Sequence, residues 1–453
     1  MKKILISIVS LVLLSSCKKF LTAEMPGNQL VSATVFTNDQ TAIAAQLAIY
    51  ARMEGDGLAY QQILNMGLSA DEYTNYSTAY FNIDIVNNNV SADNGIVLTL
   101  WTNYYKYIYQ ANAVLEGVAK SETLSDTVRS GLEGEARFVR AYCYYYLCTL
   151  FGDVPLVTGT DYRVNEQLAR SSLVDILNFI KEDLETAIPL LPVSYFSAGN
   201  TVTTEKVRPN RYAAQTLLSR AYLISKQWDK AEAAASSVIA GNFQLLTNLD
   251  AVFLKNSAEA IWQYQSVVPG YNTYPGAQLI LTTTPNLAAL DTQFVKQFTS
   301  IDKRKASWIK SITVAGRTYY YSNKYKVKQS TSISEYSMVF RLPELYLIRA
   351  EARQMQGNLP GAEQDLNTVR LRAGLSALSG LTPEALFDSI QKERRLELFS
   401  ESGDRWLNLK RTGQVDNILS QVKGSNWSST DALYPIPLAE ITRNNRLTQN
   451  AGY

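Results

Sequence analysis

The sequence predicts a mainly α-helical protein in which pairs of helices carry an irregular, loop-rich lobe with a few short strands. Helical periodicity dominates the 453-residue chain and begins with residues 39–53 and 100–118. From residue 141 to residue 151, apolar side chains surround the whole predicted helix, so we expect that helix to be buried. Gly152 and Pro155 then end it.

Two segments far apart in the chain look alike. Residues 220–239 superpose on residues 351–370 with Ala221 over Ala352, and a second alanine pair aligns ten residues further on. Small residues at these positions allow two antiparallel helices to approach closely. The arrangement is similar to the helix pairs of tetratricopeptide repeats, although these repeats are degenerate and widely separated. We therefore expect a partial solenoid that acts as a scaffold.

Against this scaffold we expect an irregular lobe formed by residues 73–94 and 258–328. The alternating stretches IWQYQ and ITVAGRTYYY in the second segment predict short strands. The stretch VVPGYNTYPGAQ places Tyr271 and Tyr274 among two Pro-Gly steps, which we expect to exclude a helix there.

The composition excludes several classes of chemistry. The chain has no histidine, so it cannot hold a Ser-His-Asp triad, and most zinc and copper sites are also excluded. Cys143 and Cys148 lie about 140° apart around a predicted helix, too far for a disulfide, and we interpret them as buried hydrophobes. We expect no catalytic residue, no metal and no cofactor.

Residues 1–16 have the features of a lipoprotein signal peptide. Two lysines precede an apolar run from residue 4 to residue 14 that is too short to span a membrane. The following LSSC resembles the lipobox of bacterial lipoproteins, in which the cysteine, here Cys17, is acylated and becomes the first mature residue. An ordinary secretory signal with an incidental cysteine is the alternative. Acyl chains on Cys17 would anchor the mature chain in a membrane.

Cleavage before Cys17 would change the net charge from 43 − 41 = +2 to 41 − 41 = 0 because two lysines are lost. A neutral chain argues against binding to nucleic acid and against electrostatic binding to a membrane surface.

Several motifs together resemble the SusD/RagB family of outer-membrane lipoproteins from Bacteroidetes. In the family's order they are CKKFLTAEMP, RAYCYYYLCTLFGDVPL, FRLPELYLIRAEARQMQGN, LNTVRLRAGL, KERRLELFSESGDRWLNLKR and YPIPLAEITRNNRLTQNAGY. The resemblance covers residues 17–453 and implies an α/α superhelix in which an N-terminal part, about 17–235, and a C-terminal part, about 258–453, pack as one unit. It also implies a non-catalytic nutrient-binding protein, lipid-anchored in the outer membrane and exposed at the cell surface. Its partner would be a SusC-like TonB-dependent transporter.

A sugar ring presents an apolar face and a polar rim, so its binding site needs exposed aromatic rings beside Asp, Asn, Gln or Arg. Loops on a rigid helical scaffold suit this role. The candidate ligand-binding residues are Asp71, Tyr73, Tyr76, Tyr80, Phe81, Trp101, Asn103, Tyr271 and Tyr274. For Trp101 the alternative is packing on the following helix. For Tyr271 and Tyr274 it is packing on the scaffold or contact with the transporter.

Three functions compete at this point. The first is binding of a neutral oligosaccharide, the second is the same role for peptides, as in the RagB branch, and the third is a lipid-anchored glycosidase. Glu393, Glu397 and Glu401 recur at four-residue spacing and would suit a glycosidase. The interleaved arginines favour ion pairs on the helix surface instead. We interpret Trp406 as a core residue, and residues 89–95 lack the spacing of a calcium hand.

Overall fold

A computed structural model describes residues 32–453. The predicted signal peptide and Cys17 lie outside the described residues. In chain order the helices are α1 (Ser32–Val35), α2 (Asp39–Gly55), α3 (Leu58–Ser69), α4 (Tyr80–Asn87), α5 (Gly95–Lys120), α6 (Asp126–Phe151), α7 (Tyr162–Asn165), α8 (Leu173–Leu190), α9 (Arg211–Ile224), α10 (Trp228–Ile239), α11 (Tyr274–Leu279), α12 (Thr292–Val295), α13 (Lys303–Trp308), α14 (Leu342–Met355), α15 (Leu359–Arg372), α16 (Pro383–Leu398), α17 (Asp404–Arg411), α18 (Val415–Lys423) and α19 (Leu438–Arg443). The strands are β1 (Tyr73–Asn75), β2 (Val154–Pro155), β3 (Arg170–Ser171), β4 (Tyr195–Phe196), β5 (Val202–Thr203), β6 (Ala260–Tyr264), β7 (Ala288–Leu290), β8 (Ile309–Val314), β9 (Arg317–Ser322) and β10 (Ser337–Arg341).

The mainly helical fold class is confirmed, and the two similar segments form neighbouring helix pairs. Residues 225–227 join α9 to α10, and residues 356–358 join α14 to α15. Helix α10 packs on α14, so pairs that are remote in sequence stack side by side. The aligned alanines are all fully buried: Ala221, Ala231, Ala352 and Ala362. Their small side chains allow the helix axes to approach closely.

Helix α6 is the buried helix that the sequence predicts. It packs between α5 and α8, and its last turns are buried on every side. Cys143 and Cys148 are free, buried thiols within it. The hydroxyls of Tyr104 and Tyr142 both accept from Gln62 Nε2, at 3.1 Å each. Gln62 therefore provides partners for two buried hydroxyls of the tyrosine-rich core.

The lobe contains the predicted strands and also helices that the sequence does not predict. Strands β1, β7, β9 and β8 form an antiparallel sheet in that order, and β6 pairs with β10. Helix α11 begins at Tyr274 because Thr273 caps it, accepting from the N–H of Gly276 at 2.9 Å. Pro275 lies in the first turn, where a helix needs no N–H donor. The prediction that the Pro-Gly steps exclude a helix is therefore wrong for residues 274–279.

The expected ion pairs on the helix surface are wrong, because Glu393, Glu397 and Glu401 are buried. They belong to a set that we call the buried ion network, formed by Arg304, Arg341, Arg372, Lys324, Asp302, Glu259, Glu393, Glu397 and Glu401. Arg304 contacts Glu393 at 2.6 Å and Glu397 at 3.1 Å. Burial alone would raise the pKa of Glu397, but the surrounding arginines outweigh it and hold that pKa below its usual range. Trp406 is 1% exposed, which confirms its prediction as a core residue.

Candidate functional site

Side chains from helices α3, α4 and α5 and from the lobe surround a cavity of about 420 Å³, which we call the aromatic cavity. Its lining residues are Tyr60, Gln61, Leu64, Asn65, Phe81, Asn82, Gly95, Ile96, Thr99 and Leu287. The described lining therefore combines two aromatic rings with amides and a hydroxyl, and it includes no charged side chain. This is the composition that a neutral part of a sugar chain requires.

Tyr60 connects the cavity to the tyrosine loop singled out in the sequence. Its ring lies 5.5 Å from the ring of Tyr274, which in turn lies 5.8 Å from the ring of Tyr271. All three rings are half-buried. Burial raises the pKa of Tyr60, and Tyr274 raises it further, so the Tyr60 hydroxyl stays protonated. The three rings form a continuous row that leads away from the cavity.

The backbone beneath this row leaves little room for the Tyr274 ring to move. Gly57 has a φ of 71°, and a Cβ atom built on it would lie 3.1 Å from the ring of Tyr274. Glu54 is fully buried, and one oxygen of its carboxyl group accepts from Ser337 Oγ at 3.1 Å. Burial raises the pKa of Glu54 to about 8, so the carboxyl group is largely protonated at neutral pH.

On the opposite side, the loop after β1 and helix α4 contribute further rings. Phe81 lines the cavity, and its ring lies 5.2 Å from the ring of Tyr80, which is 60% exposed. The backbone N–H of Tyr76 donates to the carbonyl of Leu287, another lining residue, at 2.8 Å. Tyr76 also lies against Tyr319, with ring centroids 5.4 Å apart. Phe81 therefore lines the cavity, whereas Tyr76 and Tyr80 each contact a lining residue from outside it.

The amides of the cavity have unused hydrogen-bonding capacity. Asn65 is buried, and no hydrogen bond to its side chain is found within residues 32–453. Asn82 accepts from Ser77 Oγ at 3.3 Å, and its NH₂ group has no partner in the described chain. Asn103 lies one helical turn after Thr99 and is half-buried, which places it beside the same face of α5. A ligand with hydroxyl groups would satisfy these amides.

The expectation that Asp71, Tyr73 and Trp101 are accessible to a ligand is wrong, because all three side chains are buried and partnered. Asp71 contacts Arg395 and Arg405, each at 2.7 Å, and links the two halves of the chain. The hydroxyl of Tyr73 is 2.6 Å from Ser400 Oγ. Trp101 is 3% exposed and packs on Tyr105 and Phe151, so the alternative reading of Trp101 as a packing residue fits the structure.

The sequence reasoning missed Tyr60 and Asn65, which line the site, and Arg317, which contacts Tyr76 next to it. Tyr60 and Asn65 lie within α3, whose apolar residues read as an ordinary buried helix. The available signal was Gly57, since a glycine before a tyrosine-bearing helix can mark a close approach of another segment. Arg317 follows a hairpin turn, and its role depends on a neighbour 241 residues away.

A second cavity, about 670 Å³, lies where α10, α14, α16 and α17 meet, and it is lined by Trp228 and Phe387 among charged residues. Its lining includes Arg411, which is bonded twice to Glu351, at 2.6 and 2.7 Å.

The described residues contain no cluster of His, Cys, Asp and Glu that could hold a metal ion. Within the same residues, no helix is long and apolar enough to cross a membrane.

Both the sequence and the fold of this chain are similar to those of known proteins. Residues 19–223 match a family described as starch-binding and associating with the outer membrane, and residues 259–453 match the SusD family. The SusD-like protein P38 of Formosa agariphila is 23% identical over 98% of this chain and 97% of its own length. A SusD superfamily protein from Bacteroides vulgatus superposes with a TM-score of 0.81 at 20% identity, over 93% of this chain and 100% of that protein. Surface glycan-binding protein A from Bacteroides fluxus gives a TM-score of 0.77 at 21% identity, over 92% and 100%. The chain belongs to the SusD/RagB family.

Proposed function

We propose that this protein binds an oligosaccharide or polysaccharide at the cell surface without catalysis and delivers it to a SusC-like TonB-dependent transporter. The observation that carries the proposal is the aromatic cavity, which Tyr60 and Phe81 line together with Asn65, whose side chain has no partner among residues 32–453. Aromatic faces stack on the C–H faces of sugar rings, and amides bond their hydroxyls. The row of Tyr60, Tyr274 and Tyr271 extends this surface along a chain of several sugar units.

The cavity supports a sugar ligand better than a peptide. A peptide site would be expected to carry charged groups for termini and side chains, whereas the lining of the aromatic cavity is neutral. A glycosidase is also disfavoured. The carboxylates that prompted it, Glu393, Glu397 and Glu401, are buried and bonded to arginines, so neither a water nor a glycosidic oxygen can reach them.

The proposed function is tested by calorimetric titration of the full chain in mild detergent with a panel of polysaccharides and a peptide mixture. Tyr60→Ala and Tyr274→Ala are each expected to weaken binding of the recognised polymer about fivefold, since a stacked ring contributes on the order of 1 kcal/mol. Tyr162→Ala removes a ring that is 72% exposed outside the cavity and should leave affinity unchanged.

Circular dichroism first establishes that each variant is folded. Unchanged affinity in both cavity variants would reject the aromatic cavity as the site, and selective binding of peptides would reject a glycan ligand. Appearance of shortened oligosaccharides after incubation would show catalysis and reject the non-catalytic role.

Lipid anchoring at Cys17 is the proposed basis of the outer-membrane location. Cys17→Ala is expected to move the protein from the membrane fraction to the soluble fraction or to leave an uncleaved precursor, because the acyl chains supply the membrane affinity. Fractionation with labelled fatty acid measures both effects. Normal acylation of the alanine variant would contradict the anchor.

From wild-type membranes, mild detergent should extract the protein together with a TonB-dependent β-barrel. Recovery of the protein as a monomer alone would contradict the partnership with a transporter.

A further inference from the structure

The hairpin of β8 and β9 presents one face away from the core. Tyr320 packs on the core, so by strand alternation Arg317, Tyr319 and Tyr321 lie on the opposite face, where Arg317 is exposed, Tyr321 is half-buried and Tyr319 is buried. Lys310 lies directly opposite Tyr321 in the antiparallel register and therefore shares that outer face. Arg317 and Lys310 are both exposed. This face thus combines tyrosine rings with two cations.

Arg317 is held in a defined position. Its guanidinium lies over the ring of Tyr76 at 5.4 Å and over that of Tyr319 at 5.3 Å. One of its nitrogens donates to the Tyr76 hydroxyl at 3.3 Å. A guanidinium has five N–H donors, so most of its donor edge is free. Within residues 32–453 neither Arg317 nor Lys310 forms an ion pair with a carboxylate.

Tyr76 links this cation to the aromatic cavity. The Tyr76 ring contacts Arg317, and the Tyr76 backbone donates to Leu287, which lines the cavity. Most other arginines in the described part of the chain have a carboxylate partner, as Arg405 has Asp71. A fixed guanidinium without such a partner beside a neutral cavity is suited to bind an anionic group of the ligand that fills the cavity.

We propose that the glycan bound in the aromatic cavity is acidic and that Arg317 binds its carboxylate or sulfate group. This inference rests on the proposed function and replaces the expectation of a neutral oligosaccharide. Neutral parts of the sugar chain stack on Tyr60 and Phe81, and Arg317 forms paired hydrogen bonds with the anionic substituent. Lys310 lies about four strand residues from Arg317, roughly 13 Å away, and provides a second contact for a repeating acidic polymer.

The test uses two matched pairs of polymers with the full chain in mild detergent. Polygalacturonic acid is compared with its carboxyl-reduced form, and dextran sulfate is compared with dextran, so that a carboxylate ligand is distinguished from a sulfate ligand. Calorimetric titration should show at least about tenfold tighter binding of one acidic polymer than of its neutral counterpart. Arg317→Gln should abolish that preference, and added salt should weaken binding of the acidic polymer only.

Arg446→Gln is the matched control, because Arg446 is exposed and its side chain has no partner among the described residues. It should retain the preference. Equal binding of both members of each pair by the wild type would overturn the inference and leave the proposed function intact, and so would an unchanged preference in Arg317→Gln. Absence of binding to these polymers and to every polysaccharide of the wider panel would overturn the proposed function and this inference with it.

Discussion

Replacing Arg304 by methionine is expected to lower the free energy of unfolding by about 3–5 kcal/mol. Arg304 is fully buried and contacts Asp302, Glu393 and Glu397. Burial alone would lower the pKa of Arg304, but the three carboxylates raise it above its usual value, so the guanidinium stays charged. Methionine fills a similar volume and leaves these carboxylates with one cation fewer in a region that water cannot reach. Chemical denaturation measures the loss.

Two further variants test whether the loss comes from the buried ion pairs of Arg304. Arg304→Lys keeps the charge but loses the fork of hydrogen bonds, so it should give an intermediate loss. Arg443→Gln removes an exposed ion pair with Glu440 and should cost less than about 1 kcal/mol. If Arg304→Met cost no more than Arg443→Gln, the buried ion network would not be a stabilising element.

Replacing Glu54 by glutamine is expected to stabilise the protein increasingly as pH rises from about 4.5 to about 8. The unfolded carboxyl ionises above its ordinary pKa of 4.5, whereas the folded one stays protonated until its raised pKa of about 8. The wild type therefore loses about 1.4 kcal/mol of stability per pH unit across this window relative to the glutamine variant. The difference should be on the order of 3 kcal/mol near pH 7 and level off above about pH 8.

Urea unfolding at a series of pH values measures this difference. Glutamine has the shape of the protonated acid, so the two proteins should be equally stable below pH 4.5. Glu122→Gln, at an exposed position, is the control and should follow the wild type at every pH. A pH-independent difference between Glu54→Gln and wild type would show that Glu54 is not buried as an acid beneath Tyr274.

Much of the fold could be predicted because it depends on local patterns. Apolar residues on every side of 141–151 indicated a buried helix, and α6 is buried there. The alanine spacing indicated two helix pairs, which α9–α10 and α14–α15 form. Alternation indicated the strands β6, β8 and β9. Helix α11 was missed because a proline prevents a helix in its interior but is tolerated in its first turn.

The site was predicted less well, because a pattern that identifies an aromatic residue does not say what covers it. Tyr73 in β1 and Tyr76 just after it are only three residues apart, yet Tyr73 bonds Ser400 and is buried whereas Tyr76 lies near the cavity. Tyr60 has no distinguishing local pattern within α3, and its place in the row of rings depends on Tyr274 lying against it. Each outcome depends on a partner more than 200 residues away in the chain.

The sequence by itself determined the helical class, the helix pairs, the absence of histidine chemistry and a supply of tyrosines in loops beside a scaffold. These features follow from residue type and from spacing within one element, which act over a few residues. Only the tertiary structure decided which rings line the aromatic cavity, which carboxylates enter the buried ion network and that Arg317 has no acidic partner among the described residues. Burial and pairing depend on distances between segments that are remote in the chain, and these distances exist only once the helices and the lobe have packed together.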